Sequence, residues 1–314
     1  MVDAKNKPIP PPLPPRPSRQ PNYFPIVDMT AHSLNVAQQI ISNSSITTGV
    51  VIVRNLPMRP NFAAVQRLFD KLYRSPELAD RVNSLFPARK PYKLAGKWNG
   101  DNVIDNKATI DIGIHQLRAM RGEAIKQDLG TDFETAVNFF REVKQRLVPL
   151  IISATSDGLS NSTNHNLEFW DLHRQGNMSF RLIDYHRTAE SPAPGARPHK
   201  DLTTFTIIFQ DGSGGLEIQN PTTGQWNPVP GNETLVMWGR ASEVLSGGYI
   251  RAANHRVAPI HSMRRNVLIL FVHPDLGTRY SGPLMEALGN DMAKWREAAE
   301  NLRREIPRWN WNRR

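Results

Sequence analysis

Cysteine is absent from the 314-residue chain, which excludes disulfides, thiolate metal sites and a cysteine nucleophile. Long apolar runs are absent as well. The longest, Val267 to Val272, is far too short to cross a bilayer, and the opening Met1-Val2-Asp3-Ala4-Lys5 lacks the apolar stretch of a secretory signal. A cytoplasmic protein without membrane association is therefore expected. No internal repeat is visible, and no Lys/Arg block exceeds a pair. The net charge of +10 is thus scattered among acidic residues rather than gathered into a phosphate-binding stripe. The one basic-aromatic cluster is the tail containing Arg303, Arg304, Arg308, Trp309, Trp311, Arg313 and Arg314, and it reads as solvated. Nucleic acid is not expected as a partner.

Proline is abundant at the start. Residues 8–21 form a proline-rich run, so residues 1–22 should be an extended or flexible leader. An SH3-type groove accepts such a pattern, although a plain flexible leader is the simpler reading. Residues 23–130 follow as an N-terminal region. It holds a strand-like run, Gly49 to Leu56, and a helical pattern, Phe62, Val65, Leu68, Phe69 and Leu72, capped by Asn61. Residues 85–130 are weakly patterned and read as long loops with short strands. Residues 131–282 combine a bridging helix with a β core. Thr131 and Glu134 form a capping box for that helix, and Pro149 should bend it or begin its last segment. From residue 178 the period becomes that of strands, over Met178–Tyr185, Thr203–Phe209, Leu216–Gln219, Gln225–Val229, Thr234–Trp238 and Val267–Val272. Turn signals separate them, which indicates an antiparallel sandwich or barrel. Residues 283–314 read as an amphipathic helix, Leu284 to Arg304, and the basic tail.

The chemistry-bearing residues lie within this β region. His199-Lys200-Asp201 precedes one strand, and His255 follows several strand and turn units later. Two imidazoles and one carboxylate on one face of a metal are the ligand set of mononuclear non-heme iron(II) oxygenases. The set leaves three coordination positions for a chelating 2-oxo acid and O2. A His-x-Asp triplet alone is weak evidence, and His273-Pro274-Asp275 is a second one. Only the first has a later histidine to complete it, so His199, Asp201 and His255 are the candidate catalytic and metal-binding residues. Arg265, at the head of a strand, can aim its planar fork into a barrel and hold a carboxylate, for which 2-oxoglutarate is the natural ligand. Lys200 and Arg197 could pair with an anionic substrate, and loops over residues 88–115 should form part of the pocket wall.

At this point the sequence resembles the isopenicillin N synthase-like family of iron(II)/2-oxoglutarate dioxygenases. The resemblance runs over roughly residues 24–280. It is carried by Phe24-Pro25-Ile26-Val27-Asp28, the segment Gly49 to Asn55, Ile183-Asp184-Tyr185-His186, Gln210-Asp211 with Gly214-Gly215-Leu216, and the stretch Glu243 to Gly248. It implies an all-β core with flanking helices (an α+β chain), namely a double-stranded β-helix or jelly-roll with an N-terminal helical region. It implies iron(II), 2-oxoglutarate and O2 as reactants, with Arg265, Tyr185 and His186 as cosubstrate contacts. The implied reaction is hydroxylation, desaturation or oxidative cyclisation of a small molecule, with a carboxylate-bearing amino acid or specialised metabolite as the expected class. Three departures stand out. The family's Arg-x-Ser is Arg265-Asn266-Val267, its Gly-Asp before the distal histidine is Gly239-Arg240, and His186 replaces a tyrosine. Val267 opens an alternative, an isopenicillin N synthase-type oxidase that does not use 2-oxoglutarate. A silent jelly-roll that binds partners through its leader and a nucleic-acid demethylase are further alternatives.

Overall fold

The computed structural model describes residues 24–84, 91–93, 107–113, 123–162, 169–185, 195–258 and 264–275. The proline-rich leader, most of the 88–115 loops, His186, the helix expected over 284–304 and the basic tail lie outside the described residues.

The chain opens as strand β1 (Ile26–Asp28), helix α1 (Leu34–Thr47) and strand β2 (Val50–Arg54). Ser33 caps α1 by accepting from the Val36 N–H. Gly49 ends it in the left-handed region at φ 72°, where a Cβ would sit 2.5 Å from the Arg251 carbonyl oxygen. Helix α2 (Phe62–Arg74) starts at Asn61, whose side chain accepts from Ala64 N at 3.0 Å, and it buries Val65, Leu68, Phe69 and Leu72. Helix α3 (Pro76–Ser84) and strands β3 (Tyr92–Lys93) and β4 (Lys107–Gly113) follow. The seven-residue β4 is longer than the short strands expected there, because all five of its central residues are buried.

Helix α4 (Glu123–Ser162) is interrupted at Gly130, whose φ of 73° is non-helical. A helical segment therefore does begin at Thr131, but helix also precedes it, and it runs on through Pro149. Leu147, Val148, Ile151 and Ile152, on either side of that proline, are buried and anchor the helix in the core. The β region then gives β5 (Met178–Tyr185), β6 (Ala196–His199), β7 (Phe205–Gln210), β8 (Leu216–Gln219), β9 (Trp226–Pro228) and β10 (Thr234–Trp238). Helix α5 (Arg240–Leu245), β11 (His255–Val257) and β12 (Arg265–Val272) complete it.

Among the described residues, eight strands form the larger sheet in the order β1-β2-β10-β7-β12-β5-β4-β3, and β6-β11-β8-β9 form the smaller one. Among the described residues only the β1–β2 pair is parallel. This is the jelly-roll architecture, a β core with helices on one side. Strand alternation divides the larger sheet into two faces. One carries Phe180, Leu182, Phe205, Ile207, Phe209, Leu268 and Leu270 into a core shared with α1, α2 and α4. The other turns Ile183, Tyr185, Ile208, Leu235 and Val267 toward Leu216, Ile218 and Val257 of the smaller sheet. Trp238, 1% exposed, pins α4 to the first face by donating from its indole N–H to the Thr155 hydroxyl at 3.1 Å.

Candidate metal centre

His199 ends β6 and His255 begins β11, and the antiparallel register sets the two directly opposite each other. Their rings lie 4.2 Å apart between centroids. Asp201 follows β6 in the segment leading to β7. That segment is clamped by the start of α5: the N–H groups of Gly239, Arg240 and Ala241 donate to the carbonyls of Thr204, Asp201 and Thr203. Only glycine permits this approach, since a Cβ at Gly239 would stand 2.3 Å from the Thr203 carbonyl oxygen and 2.8 Å from that of Asp201.

Each side chain is aimed by a second contact. His199 Nδ1 lies 2.6 Å from the Arg197 carbonyl oxygen and His255 Nδ1 lies 3.3 Å from that of Ala253. A carbonyl can only accept, so Nδ1 carries a hydrogen in both rings, and Nε2 is the atom that bears the lone pair of the neutral imidazole. The Thr206 hydroxyl donates to Asp201 Oδ2 at 2.7 Å, which leaves Oδ1 facing the rings, 3.6 Å from His199 Nε2 and 3.8 Å from His255 Nε2. Both gaps exceed the about 2.7–3.2 Å of an N–H···O bond. The three ligand atoms lie within 4.8 Å of one another. Two imidazole Nε2 atoms and a carboxylate oxygen thus converge without hydrogen-bonding one another, and a cation makes that arrangement favourable. The donor set suits iron(II).

The protonation states agree. Burial lowers the pKa of His255, and the neighbouring His199 adds to this against the opposing field of Asp201, so the imidazole is held neutral, the ligating form. For Asp201, burial alone would raise the pKa. His255, His199, the Thr206 hydroxyl and Arg181 outweigh it, and the carboxyl is held ionised.

Arg265 is 1% exposed. Its guanidinium lies 4.9 Å over the Tyr185 ring and reaches Gln210 Oε1 at 3.4 Å, while Nε and Nη1 are buried without a hydrogen-bond partner. A buried cation with unmet donors fits an incoming carboxylate, as 2-oxoglutarate would supply. Val267, inward and 1% exposed, offers it no hydroxyl. Lys200 is paired with Glu243 of α5 at 3.0 Å. Arg264, next to Arg265, binds the fully buried Asp184 and also Asp70. Thr206 and the Gln210–Arg265 contact were not singled out from the sequence. The alternation Thr206, Ile208, Gln210 on one face of β7 was the available signal.

A jelly-roll bearing a His/Asp/His cluster at the junction of its two sheets defines a mononuclear metal-centre class. Residues 176–274, the stretch that carries the His/Asp/His cluster, match the model of the 2OG-Fe(II) oxygenase superfamily. Among curated relatives, feruloyl CoA ortho-hydroxylase 2 of Arabidopsis thaliana is 31% identical over 34% of this chain and 31% of its own length. Gibberellin 2-beta-dioxygenase 7 of the same plant is 32% identical over 49% of this chain and 44% of its own length. The matches thus span less than half of those relatives. Among solved structures, a full-length Neurospora crassa protein in complex with alpha-KG shares 20% identity at a TM-score of 0.64, covering 83% of this chain and 88% of that one. The dioxygenase for auxin oxidation 1 of Arabidopsis thaliana, a 2-oxoglutarate complex, shares 18% identity at 0.63, covering 83% and 96%. At these identities the structures show a shared fold. Among the described residues no helix is long and apolar enough to cross a membrane.

Proposed function

We propose that this chain is an iron(II)- and 2-oxoglutarate-dependent oxygenase acting on a small carboxylate-bearing molecule, such as an amino acid or specialised metabolite. The observation that carries the reading is the convergence of His199 Nε2, His255 Nε2 and Asp201 Oδ1 together with a buried Arg265 whose donors lack acceptors. His199, Asp201 and His255 would hold the metal, and Arg265 would hold the distal carboxylate of 2-oxoglutarate. Tyr185 stacks beneath that guanidinium and shapes the same wall. His186, next along the chain, is retained as a further cosubstrate contact. Iron(II) with 2-oxoglutarate and O2 supplies an oxidation able to break an unactivated C–H bond, giving succinate and CO2 alongside the hydroxylated, desaturated or cyclised product. The chain's own part is positional. Carbonyl tethers hold two imidazoles in the ligating tautomer, Thr206 orients Asp201, and the apolar Ile208, Leu216, Ile218 and Val257 exclude water around the reacting centre.

Anaerobic addition of iron(II) and then 2-oxoglutarate should produce the weak visible charge-transfer band of the chelate, and aerobic mixtures should release succinate. No band and no succinate would sink the reading. Val267 favours a second one, an oxidase of the isopenicillin N synthase type. O2 uptake with added substrate but without succinate would select it. A cytoplasmic location accompanies either reading, and cell fractionation tests it. Deleting residues 1–22 should leave turnover intact, whereas a jelly-roll serving only as a binding module would lose its partner.

A further inference from the structure

Strand register gives the site an axis. On β7, Thr206 at one end bonds Asp201, and Gln210 at the other end touches Arg265. Across on β12, Phe271 pairs with Thr206 and Val267 with Gln210. Arg265 stands at one end of this face, level with Tyr185, and Phe271 at the other, level with the Thr206 that bonds Asp201. Position 181 of β5 lies between them, paired with Ile269. Its neighbours Phe180 and Leu182 enter the helix-packed core, so Arg181 faces inward. Its guanidinium lies 4.9 Å from the Phe271 ring centre, and its field helps keep Asp201 ionised.

Arg181 donates from Nη2 to Asp111 Oδ2 at 2.5 Å, across the register pair Asp111↔Arg181. If neutralising Asp111 were its only task, the arginine would be sealed in. Instead 34% of its side chain stays open to solvent, while its Nε–H is enclosed and has no acceptor. An enclosed donor on a reachable side chain asks for an acceptor delivered from outside. The Nη2 donor is spent on Asp111, and the enclosed Nε–H is a single donor left over, which suits one carboxylate. Ile269 and Phe271, alternating with outward Leu268 and Leu270, supply an apolar wall beside it.

We propose that Arg181, braced by Asp111 and Phe271, is the substrate-anchoring residue and that it takes the carboxylate of a monocarboxylic acid with an apolar body. This rests on the oxygenase reading above. Arg181 sets which molecule is presented to the metal; it is not itself asked to move a proton or an electron.

The test is a calorimetric titration of phenylacetate and hexanoate, each against its methyl ester, into protein loaded with nickel(II) and 2-oxoglutarate. At least one acid should bind, and its ester about tenfold or more weaker, the scale of a lost charged hydrogen bond. Arg181→Met with Asp111→Asn should lose the acid preference; pairing the changes avoids leaving a buried carboxylate alone. Arg181→Lys keeps the partner for Asp111 but not the side-on Nε–H, and it should bind the acid more weakly than the parent protein. That variant decides the matter if the double one does not fold. Binding of neither acid, equal binding of acid and ester, or unchanged acid affinity in either variant overturns the proposal. The loading step separates the two readings. Failure of the parent protein to bind 2-oxoglutarate brings down the proposed function, whereas bound 2-oxoglutarate with no acid preference brings down Arg181 alone.

Discussion

Arg264 and Arg265 are adjacent on one strand, and their surroundings differ in every respect. Arg264 points to the helix-packed face. There the fully buried Asp184 accepts from it and also from Tyr73 and Asn266, and Asp70 of α2 adds a second carboxylate. Arg265 points the other way, with an aromatic ring beneath it, one distant amide oxygen and two donors unmet. The same division runs through the sheet. On the helix side, charge is closed within the protein and serves to fasten layers together. On the barrel side, charge is left incomplete within the protein, which has a cost in stability and a use in binding. A buried cation is therefore better interpreted by how fully its donors are met than by its depth.

The comparison can be broken first at the metal ligands. His255→Ala or Asp201→Ala should abolish iron(II) retention and turnover while leaving the fold intact, and metal analysis after gel filtration checks this. Arg264→Met strands a carboxylate with no exposure and should cost about 3–5 kcal/mol of stability, read by denaturant unfolding, with 2-oxoglutarate affinity little changed. Arg265→Met should show the converse. It should weaken 2-oxoglutarate binding by about tenfold to a hundredfold, equivalent to about 1.5–3 kcal/mol for a charged hydrogen bond, with little loss of stability. If both arginine variants behaved alike, the two-face distinction would fail. Val267→Ser, restoring a hydroxyl on the barrel face, should tighten 2-oxoglutarate by about 1 kcal/mol.

The smallest effect concerns pH. His173 is held below its ordinary value of 6.5, because burial penalises the imidazolium more than its Phe169 carbonyl contact and the Asp275 field favour it. The unfolded chain then binds a proton that the folded chain refuses. Its stabilising contribution is complete above that ordinary value and is lost as pH falls toward the folded value, at no more than about 1.4 kcal/mol per pH unit. Unfolding of metal-free protein at stepped pH should show this acid limb, and His173→Gln should flatten it.

Much of this was legible beforehand. The ends of β5, β8 and β10 and the Asn61 cap agree with the expected positions, because alternation and capping are local signals. Helix α1 escapes periodicity: its sequence is rich in Ser, Asn and Thr, it buries Ser42, Ser44 and Ser45, and packing against α4 holds it. Strands β6 and β11, which carry the two histidines, have four and three residues, too few for a period to register. The three metal-type ligands could be named from residue type and order. That the histidines face each other across a ladder could not, since register is a tertiary property. The pairings of Lys200 with Glu243 and of Arg264 with Asp184 escaped for the same reason, each joining residues far apart in the chain.

Main-chain carbonyls, not neighbouring side chains, hold both imidazoles at Nδ1. The residues around the cavity can therefore be exchanged one by one without unsettling the aim of the two nitrogens that converge on Asp201.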